Sequence, residues 1–455
     1  MSGTGAAWEE LERSVRGRLR RDPEAIAAVA ADGSHLRGTA AGVLAPADVE
    51  DVVAAVRWCR RTGVPLVARG GGTSLDGESV PTGGSLVLDL GHFDRILGWE
   101  TEDRLVRVQP GVVNRALQEA ARERGMFFPP NPGSWRTSTI GGNAATNASG
   151  PRSYRYGPTR RWVRGWQAVL GSGETVRMET RARKRSVGPD LVGLLVGSEG
   201  TLGVFTELLV ELAPLPERRQ AVVVPLPEGT RLGALRGPLD RASAHGLPLS
   251  ALEYVDGATG SELARVAPSR IPEGPALLLL ELESTDASAS SDLESLERLL
   301  ARAGLSGRAS LFPNAEELWT LRGESGLLLD ARFGYRVRED VAVPPDRLDA
   351  LVALIEATAR EAEVPVFVYG HLGEASLHPN FVVDPAGPAA TAIRRRLLTG
   401  VHELGGTVSA EHGLGALKAA YLGLEHGSEG VALLRRLKRL FDPDGILNPG
   451  KLYPP

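Results

Sequence analysis

Only one of the 455 residues is cysteine, so no disulfide can form within the chain and no cysteine-ligated iron–sulfur cluster can be housed in it. Any cluster that takes electrons from this protein belongs to another polypeptide. No apolar run reaches the roughly 20 residues that cross a bilayer, and the N-terminus lacks a charged-then-apolar leader pattern, so a cytoplasmic protein is expected. Strong charge is also missing: 52 basic against 56 acidic residues leaves −4, which argues against a nucleic-acid partner. There is no repeat of fixed period and no sizeable low-complexity segment. What is present is length and apolar content. At 455 residues and 42% hydrophobic, the chain is too long for one ordinary core and rich enough for two.

Three glycine-rich stretches stand out. Arg69-Gly70-Gly71-Gly72-Thr73-Ser74-Leu75-Asp76-Gly77 follows the apolar run Val64–Ala68. Consecutive glycines let backbone approach a ligand and adopt positive φ, and their N–H groups, with the hydroxyls of Thr73 and Ser74, suit a phosphate. The stretch has no Gly-Lys-Ser/Thr ending and does not fit the Rossmann glycine spacing, so a dinucleotide held by another fold is expected. As a single motif it is equally a surface turn. The second stretch runs from Phe128-Pro-Pro130 through Thr139, Gly141, Gly142, Asn143, Thr146 and Asn147 to Gly150. The third, Gly197-Ser-Glu199-Gly200-Thr-Leu-Gly203-Val204, lies between two apolar, strand-like runs, Leu191–Val196 and Val204–Val210. Three loops of one chemical type point to a long ligand gripped at several places.

On these loops the stretch from about Ala41 to Leu215 resembles the FAD-binding domain of the vanillyl-alcohol-oxidase-like flavoproteins (the PCMH type). The whole chain is similar to the branch containing glycolate oxidase catalytic subunits, D-lactate dehydrogenases and D-2-hydroxyglutarate dehydrogenases. The resemblance implies an α+β, two-domain fold: an N-terminal helical segment over 1–40, an FAD-binding domain over 41–215, a ferredoxin-like antiparallel cap over 216–405, and a return to the FAD domain over 406–455. It also implies that the first loop cradles the FAD pyrophosphate while the other two close over the adenosine and flavin, with Asn448 and Lys451 near the ring. None of the loops carries a histidine for covalent attachment, so FAD is expected to be noncovalent, with His92 the nearest exception.

The periodicities agree with this layout. A helix over 8–31 is expected, with Asp22-Pro23 as a capped start, then a helix over Pro46–Cys59 and strands at Val64–Ala68, Ser85–Leu90 and Arg104–Pro110. Pro214 to Arg219 marks a boundary. Beyond it, strands at Gln220–Pro225, Ala251–Val255, Pro275–Leu282, Asp340–Pro344 and Val364–Tyr369 alternate with helices at 230–245, 288–303, 346–362 and 389–404.

Chemistry concentrates near the C-terminus. Six residues separate His371 from His378. One straight strand would put them on opposite faces, but a turn at Gly373–Ser376 folds the strand back and sets them on one face. Two imidazoles so held suit Zn²⁺ or Mn²⁺ if a third ligand arrives, and Glu411 of Glu411-His412-Gly413 is the obvious supplier. Satisfied core histidines are the competing reading. In the resembled branch, Gly-His-x-Gly-Asp-Gly-Asn-x-His-x-Asn and Glu-His-Gly motifs supply the metal ligands and the base, and His371, His378, Asn380, Glu411 and His412 stand at those positions. Here Glu374-Ala375-Ser376 replaces Asp-Gly-Asn; if that glycine position needs positive φ, Ala375 costs on the order of 1–2 kcal/mol. For a carboxylate, a guanidinium is the matching cation. Arg322 in Trp319-Thr-Leu-Arg322 resembles a family element, and Arg338 lies just before Glu339–Pro344, where relatives carry a substrate-side basic residue.

The expected function is oxidation of a 2-hydroxy acid, D-configured, to the keto acid. His412 serves as base and a His371/His378/Glu411 metal polarises the hydroxyl. The electron acceptor is separate: an iron–sulfur protein, an electron-transfer flavoprotein, a quinone or oxygen. A homodimer is the expected assembly. Two alternatives stay open: an FAD oxidase of another alcohol or an amine, with Trp135, Trp162 and Trp166 near its pocket, or a flavin-binding subunit that has lost catalysis.

Overall fold

The computed structural model describes residues 3–334 and 336–453. The chain divides into two compact units, the first comprising Met1–Ser149, Pro158–Leu215 and Glu411–Pro455, the second Gly150–Gly157 and Pro216–Ala410.

The first unit is built on two sheets. In the smaller, strands run in the order Arg18–Arg20, Ala40–Ala45, Ser85–Asp89, Leu66–Arg69, and the last three are mutually parallel. Helix Val49–Thr62 supplies the crossover. Asp48 caps its start by accepting from the Asp51 N–H, Gly63 ends it at φ +70°, and Val52, Ala55, Val56 and Cys59 form the buried stripe. That stripe packs with Leu44, Leu66, Leu86 and Leu88 into one core. Strand Leu66–Arg69 therefore delivers the first glycine loop at the C-terminal end of parallel strands, where open α/β sheets place their ligands. The second sheet is antiparallel, in the order Ile96–Glu100, Leu105–Val108, Gly203–Glu211, Val163–Leu170, Thr175–Glu179.

Two local expectations fail here. The single helix over 8–31 is two helices, Gly3–Ser14 and Pro23–Val29, with a strand at Arg18–Arg20 between them. The break comes from Asp51, whose carboxylate takes the N–H groups of Arg16 (2.8 Å) and Gly17 (2.7 Å), drawing the chain into extended pairing with Ala45. The strand-like run Leu191–Val196 is a short helix, Leu191–Leu195, capped by Asp190 accepting from the Gly193 N–H. A short, uniformly apolar run has no period by which to tell the two apart.

The second unit is one antiparallel sheet, ordered Ser310–Phe312, Arg218–Leu226, Ala276–Ser284, Leu249–Val255, Val366–His371, Ser376–Phe381, Val337–Arg338, with Val341–Ala342 also paired to Ser376–Phe381. The expected strand over 340–344 is reduced to that two-residue piece. Helices Leu232–Ala244, Ala289–Arg302, Leu348–Glu361 and Pro388–Glu403 form where the periodicity puts them.

The segment Gly150–Gly157 groups with this unit and not with the expected continuous 41–215 block. Its physical cause lies in strand Ala276–Ser284, which buries two glutamates among leucines. Arg152 meets Glu281 with both ends of its guanidinium (2.9 and 3.1 Å), and Trp319 Nε1 (2.6 Å) and Ser250 Oγ (2.7 Å) donate to the same carboxylate. Tyr156 and Arg219 serve Glu283 in the same way. Burial drives Glu281 up, but Arg152 and its hydrogen bonds outweigh that and hold the carboxyl at about 2. A buried carboxylate needs its cation, and the sequence supplies that cation from residue 152.

Candidate active site

In the first unit the three glycine loops come together. A Cβ on Gly70 would overlap the Thr139 hydroxyl, and one on Gly71 would overlap the Thr137 carbonyl, so both glycines are required by the seam between first and second loops. Gly72, at φ +63°, lies under the guanidinium of Arg69. Burial pulls the Arg69 pKa down, which makes it a cation that gains from an anionic neighbour. Thr139 caps helix Ile140–Thr146 by accepting from the Gly142 N–H (3.2 Å), and Asn147 ends it in the left-handed region at φ +53°. The Thr146 hydroxyl returns to the Gly142 carbonyl, the Pro130 carbonyl accepts from the Asn114 amide, and Gly141 sits tight against Pro110. Asn448 joins the first and third loops, since its Nδ2 donates to the carbonyls of Glu78 (2.8 Å) and Glu199 (2.7 Å). Lys451 is buried and donates to the Val80 carbonyl (2.8 Å). Thr73, Ser74 and Gly77 complete the first loop, partly or wholly buried, with Gly77 at φ +86°. His92 is exposed at the end of the turn Leu90–His92.

The other expected cofactor residues lie as follows. Gly203 and Val204 open a strand, paired to Leu170 and Val169, and the Val204 side chain lies in the core. Gly150 belongs to the second unit, where its carbonyl accepts from Ser153. The Glu199 carboxylate is taken up by the backbone N–H groups of Leu414 (2.7 Å) and Gly415 (2.9 Å). Glu411 and His412 are half-buried on the turn just before that anchor, in the first unit.

In the second unit the hairpin forms as its turn residues require. Tyr369 pairs with His378 and His371 with Ser376, so the two imidazoles are diagonal neighbours on one face. Ala375 sits at φ +53°, the left-handed position that the turn demands. The rings are edge to face with centroids 4.9 Å apart, and their Nε2 atoms are 3.2 Å apart. Each Nδ1 faces a fully buried carboxylate, Glu253 for His371 (2.5 Å) and Asp340 for His378 (3.3 Å). The carboxylate of Glu253 at His371 Nδ1 favours the tautomer with its proton on that nitrogen. The two Nε2 atoms face one another, and with both unprotonated they suit a divalent cation.

Arg322 is buried, its Nη2 2.6 Å from the other oxygen of Glu253 and its guanidinium over the Tyr369 ring at 4.5 Å. Its Nε is buried with no hydrogen-bond partner. Arg338 is paired with Asp330, as is Arg336 (2.9 Å), a buried arginine that sequence reasoning passed over. Burial and the neighbouring Arg338 lower the Arg336 pKa. Asn380 accepts from Arg336 (3.3 Å) and donates to the His378 carbonyl (2.9 Å), bracing the hairpin from behind. Glu253 and Asp340 were also missed. The available signal was a glutamate at the centre of an apolar strand, Ala251-Leu-Glu-Tyr-Val255, where only a buried partner could keep it.

A family model described as FAD binding domain matches residues 40–179, and one described as FAD linked oxidases, C-terminal domain, matches 216–452. The chain belongs to the FAD-linked oxidases. Within this family the chain is 33% identical over 419 residues to the glycolate oxidase subunit GlcD of Bacillus subtilis, covering 90% of this chain and 88% of that one. It is 31% identical to a D-2-hydroxyglutarate dehydrogenase of Stutzerimonas stutzeri (98% and 99% covered) and 30% to a D-lactate dehydrogenase of Anaerostipes hadrus (89% and 87%). Among solved structures, p-cresol methylhydroxylase has a TM-score of 0.84 at 15% identity, covering 100% of this chain and 98% of that one. A 4-ethylphenol oxidase from Gulosibacter chungangensis gives 0.79 at 20%, covering 99% and 97%. The α+β flavoprotein fold and the FAD-linked oxidoreductase class stand on these matches. The first unit fits FAD chemically: besides Arg69, the Ser138 hydroxyl and the Asn143 amide nitrogen are buried beside the loop seam with no partner among the described residues. No helix among the described residues is long and apolar enough to cross a membrane. Trp166, one of the tryptophans considered for a pocket, is buried in packing, with Nε1 donating to the Val192 carbonyl (3.1 Å).

Proposed function

We propose that this FAD-linked oxidoreductase converts a D-2-hydroxy acid to its 2-keto acid. The reading is carried by the Nε2 atoms of His371 and His378, 3.2 Å apart, with a buried carboxylate facing the other nitrogen of each ring. That donor set matches a hydroxyl-polarising cation, and relatives of 30–33% identity are named for glycolate, D-lactate and D-2-hydroxyglutarate.

His371, His378 and Glu411 would hold a divalent ion, Zn²⁺ or Mn²⁺, and the ion would supply Lewis acidity toward the substrate hydroxyl. A ring nitrogen of His412 takes the hydroxyl proton. FAD, bound noncovalently, would supply the hydride acceptor. Arg322, through an Nε–H with no partner among the described residues, takes the substrate carboxylate together with Arg338 and so orients the C–H bond. Asn380 keeps His378 in register. Electrons leave to a separate acceptor, an iron–sulfur protein, electron-transfer flavoprotein, quinone or oxygen, and the setting is a cytoplasmic homodimer.

Anaerobic mixing with glycolate, D- and L-lactate and D-2-hydroxyglutarate tests the substrate class. One D-acid should bleach the flavin, and bleaching by none of them sinks the reading. Protein purified without chelator should hold about one divalent ion per chain. His412→Asn should keep FAD, metal and keto-acid affinity yet reduce its flavin at least about a hundredfold more slowly in stopped flow. Near-normal reduction removes His412 from the mechanism.

A further inference from the structure

We infer that Glu199 is a positioning residue for the turn that carries His412, and that its carboxylate acts on this turn and not on the cofactor; the inference rests on His412 being the base. Glu199 occupies the left-handed region at φ +54°, followed by Gly200 at φ +69°. A glutamate is an unfavourable choice for that backbone, where glycine or asparagine would be at ease. Its side chain explains the choice. The carboxylate is buried and uses both oxygens, one on the Leu414 N–H and one on the Gly415 N–H, the second and third residues after His412.

Gly413, directly after His412, lies at φ +94°, and a Cβ there would stand 2.8 Å from an oxygen of Glu199 and equally from an oxygen of Glu78. Two carboxyl groups thus close on the backbone one residue from the base. Glu78 reaches the same spot from the first glycine loop, its Oε1 buried without a hydrogen-bond partner. Asn448 binds the carbonyls of both glutamates with one amide nitrogen, so the pair is fixed as a unit. The Asp76 carbonyl takes the next N–H groups, those of Ala416 (2.9 Å) and Leu417 (3.1 Å). Four consecutive backbone amides after Gly413 are therefore fastened to the loops of the FAD-binding fold. Glu199 supplies the two nearest His412. Small displacements of a base cost rate because proton transfer requires hydrogen-bond reach.

Glu199→Gln retains size and one acceptor but turns an amide NH₂ against a backbone N–H. The variant should keep FAD at wild-type occupancy. Deuterium exchange of the peptide spanning Leu414 and Gly415 should accelerate at least about tenfold, the loss expected for a charge-assisted hydrogen bond. With a saturating acid that bleaches the wild type, flavin reduction should slow by about tenfold or more while KM changes little. Gly413→Ala, which forces a methyl between the two carboxyls, should reproduce the slow reduction with Glu199 intact, and covers the case in which Glu199→Gln does not fold. Loss of FAD with unchanged exchange would make Glu199 a cofactor contact and overturn the inference, as would unchanged exchange and unchanged reduction. His412→Asn, run in parallel, separates the two failures. If that variant reduces flavin normally, the base assignment falls, while the exchange rates still decide whether Glu199 holds the turn.

Discussion

Two buried acidic centres, one in each unit, have carboxyl pKa values moved in opposite directions for a simple reason. In the second unit Glu281 receives Arg152 on both oxygens, and its carboxyl is held at about 2. In the first, burial and the neighbouring Glu199 push Glu78 well above the ordinary carboxylate range, and burial raises Glu199 although backbone N–H groups and two lysines work against the rise. Burial alone does not set the charge of a carboxyl group. Delivery of a guanidinium does, and here it ties a distant piece of chain to the sheet, whereas a pair with no guanidinium on its oxygens is raised beside a turn that must be placed accurately.

The comparison can be broken most severely at the loop seam. Gly71→Asp drives a carboxylate into the Thr137 carbonyl, so purified protein should be colourless, and full flavin content would show that the seam tolerates a side chain there. Next comes the ion pair. Arg152→Ala leaves Glu281 buried without its cation and should cost about 3–5 kcal/mol in denaturant unfolding, against a fraction of that for an exposed pair such as Arg13–Glu9. A loss below about 1 kcal/mol would mean that Gly150–Gly157 is held by other contacts.

Acid and base sharpen the contrast. The folded pKa of Glu281 lies below its ordinary 4.5, so its contribution is present above pH 4.5 and drains away as pH falls toward 2, on the order of 3 kcal/mol in all. The folded pKa of Glu78 is raised, so its contribution is present below its ordinary 4.5 and is lost as pH climbs through the raised value. Glu281→Gln should flatten the acid limb of stability, and Glu78→Gln should flatten the alkaline limb and stabilise the protein near pH 8. Melting profiles from pH 3 to 9 read both, and unchanged slopes would contradict the assignment. The smallest effect belongs to the hairpin. Ala375→Gly relieves a left-handed alanine and should raise stability by up to about 1 kcal/mol. A loss would show that the buried methyl outweighs the strain.

The sequence by itself determined the class of fold, the three loops and the hairpin, because glycine clusters, proline boundaries and period-two strands act over a few residues. His371 and His378 were legible as a pair for the same reason: a turn of known length decides which side chains share a face. Only the tertiary structure decided what backs them. Glu253 comes from strand Leu249–Val255, Arg336 and Asp340 flank the short strand Val337–Arg338, and no local pattern says which buried charges will meet. The same holds for Arg152, which draws Gly150–Gly157 out of the block its neighbours belong to, and for Glu199, read from its motif as a cofactor contact. The Arg152 and Glu199 pairings each span more than a hundred residues, and the energy of burying a charge is set by the partner that arrives, which the chain reveals only once folded.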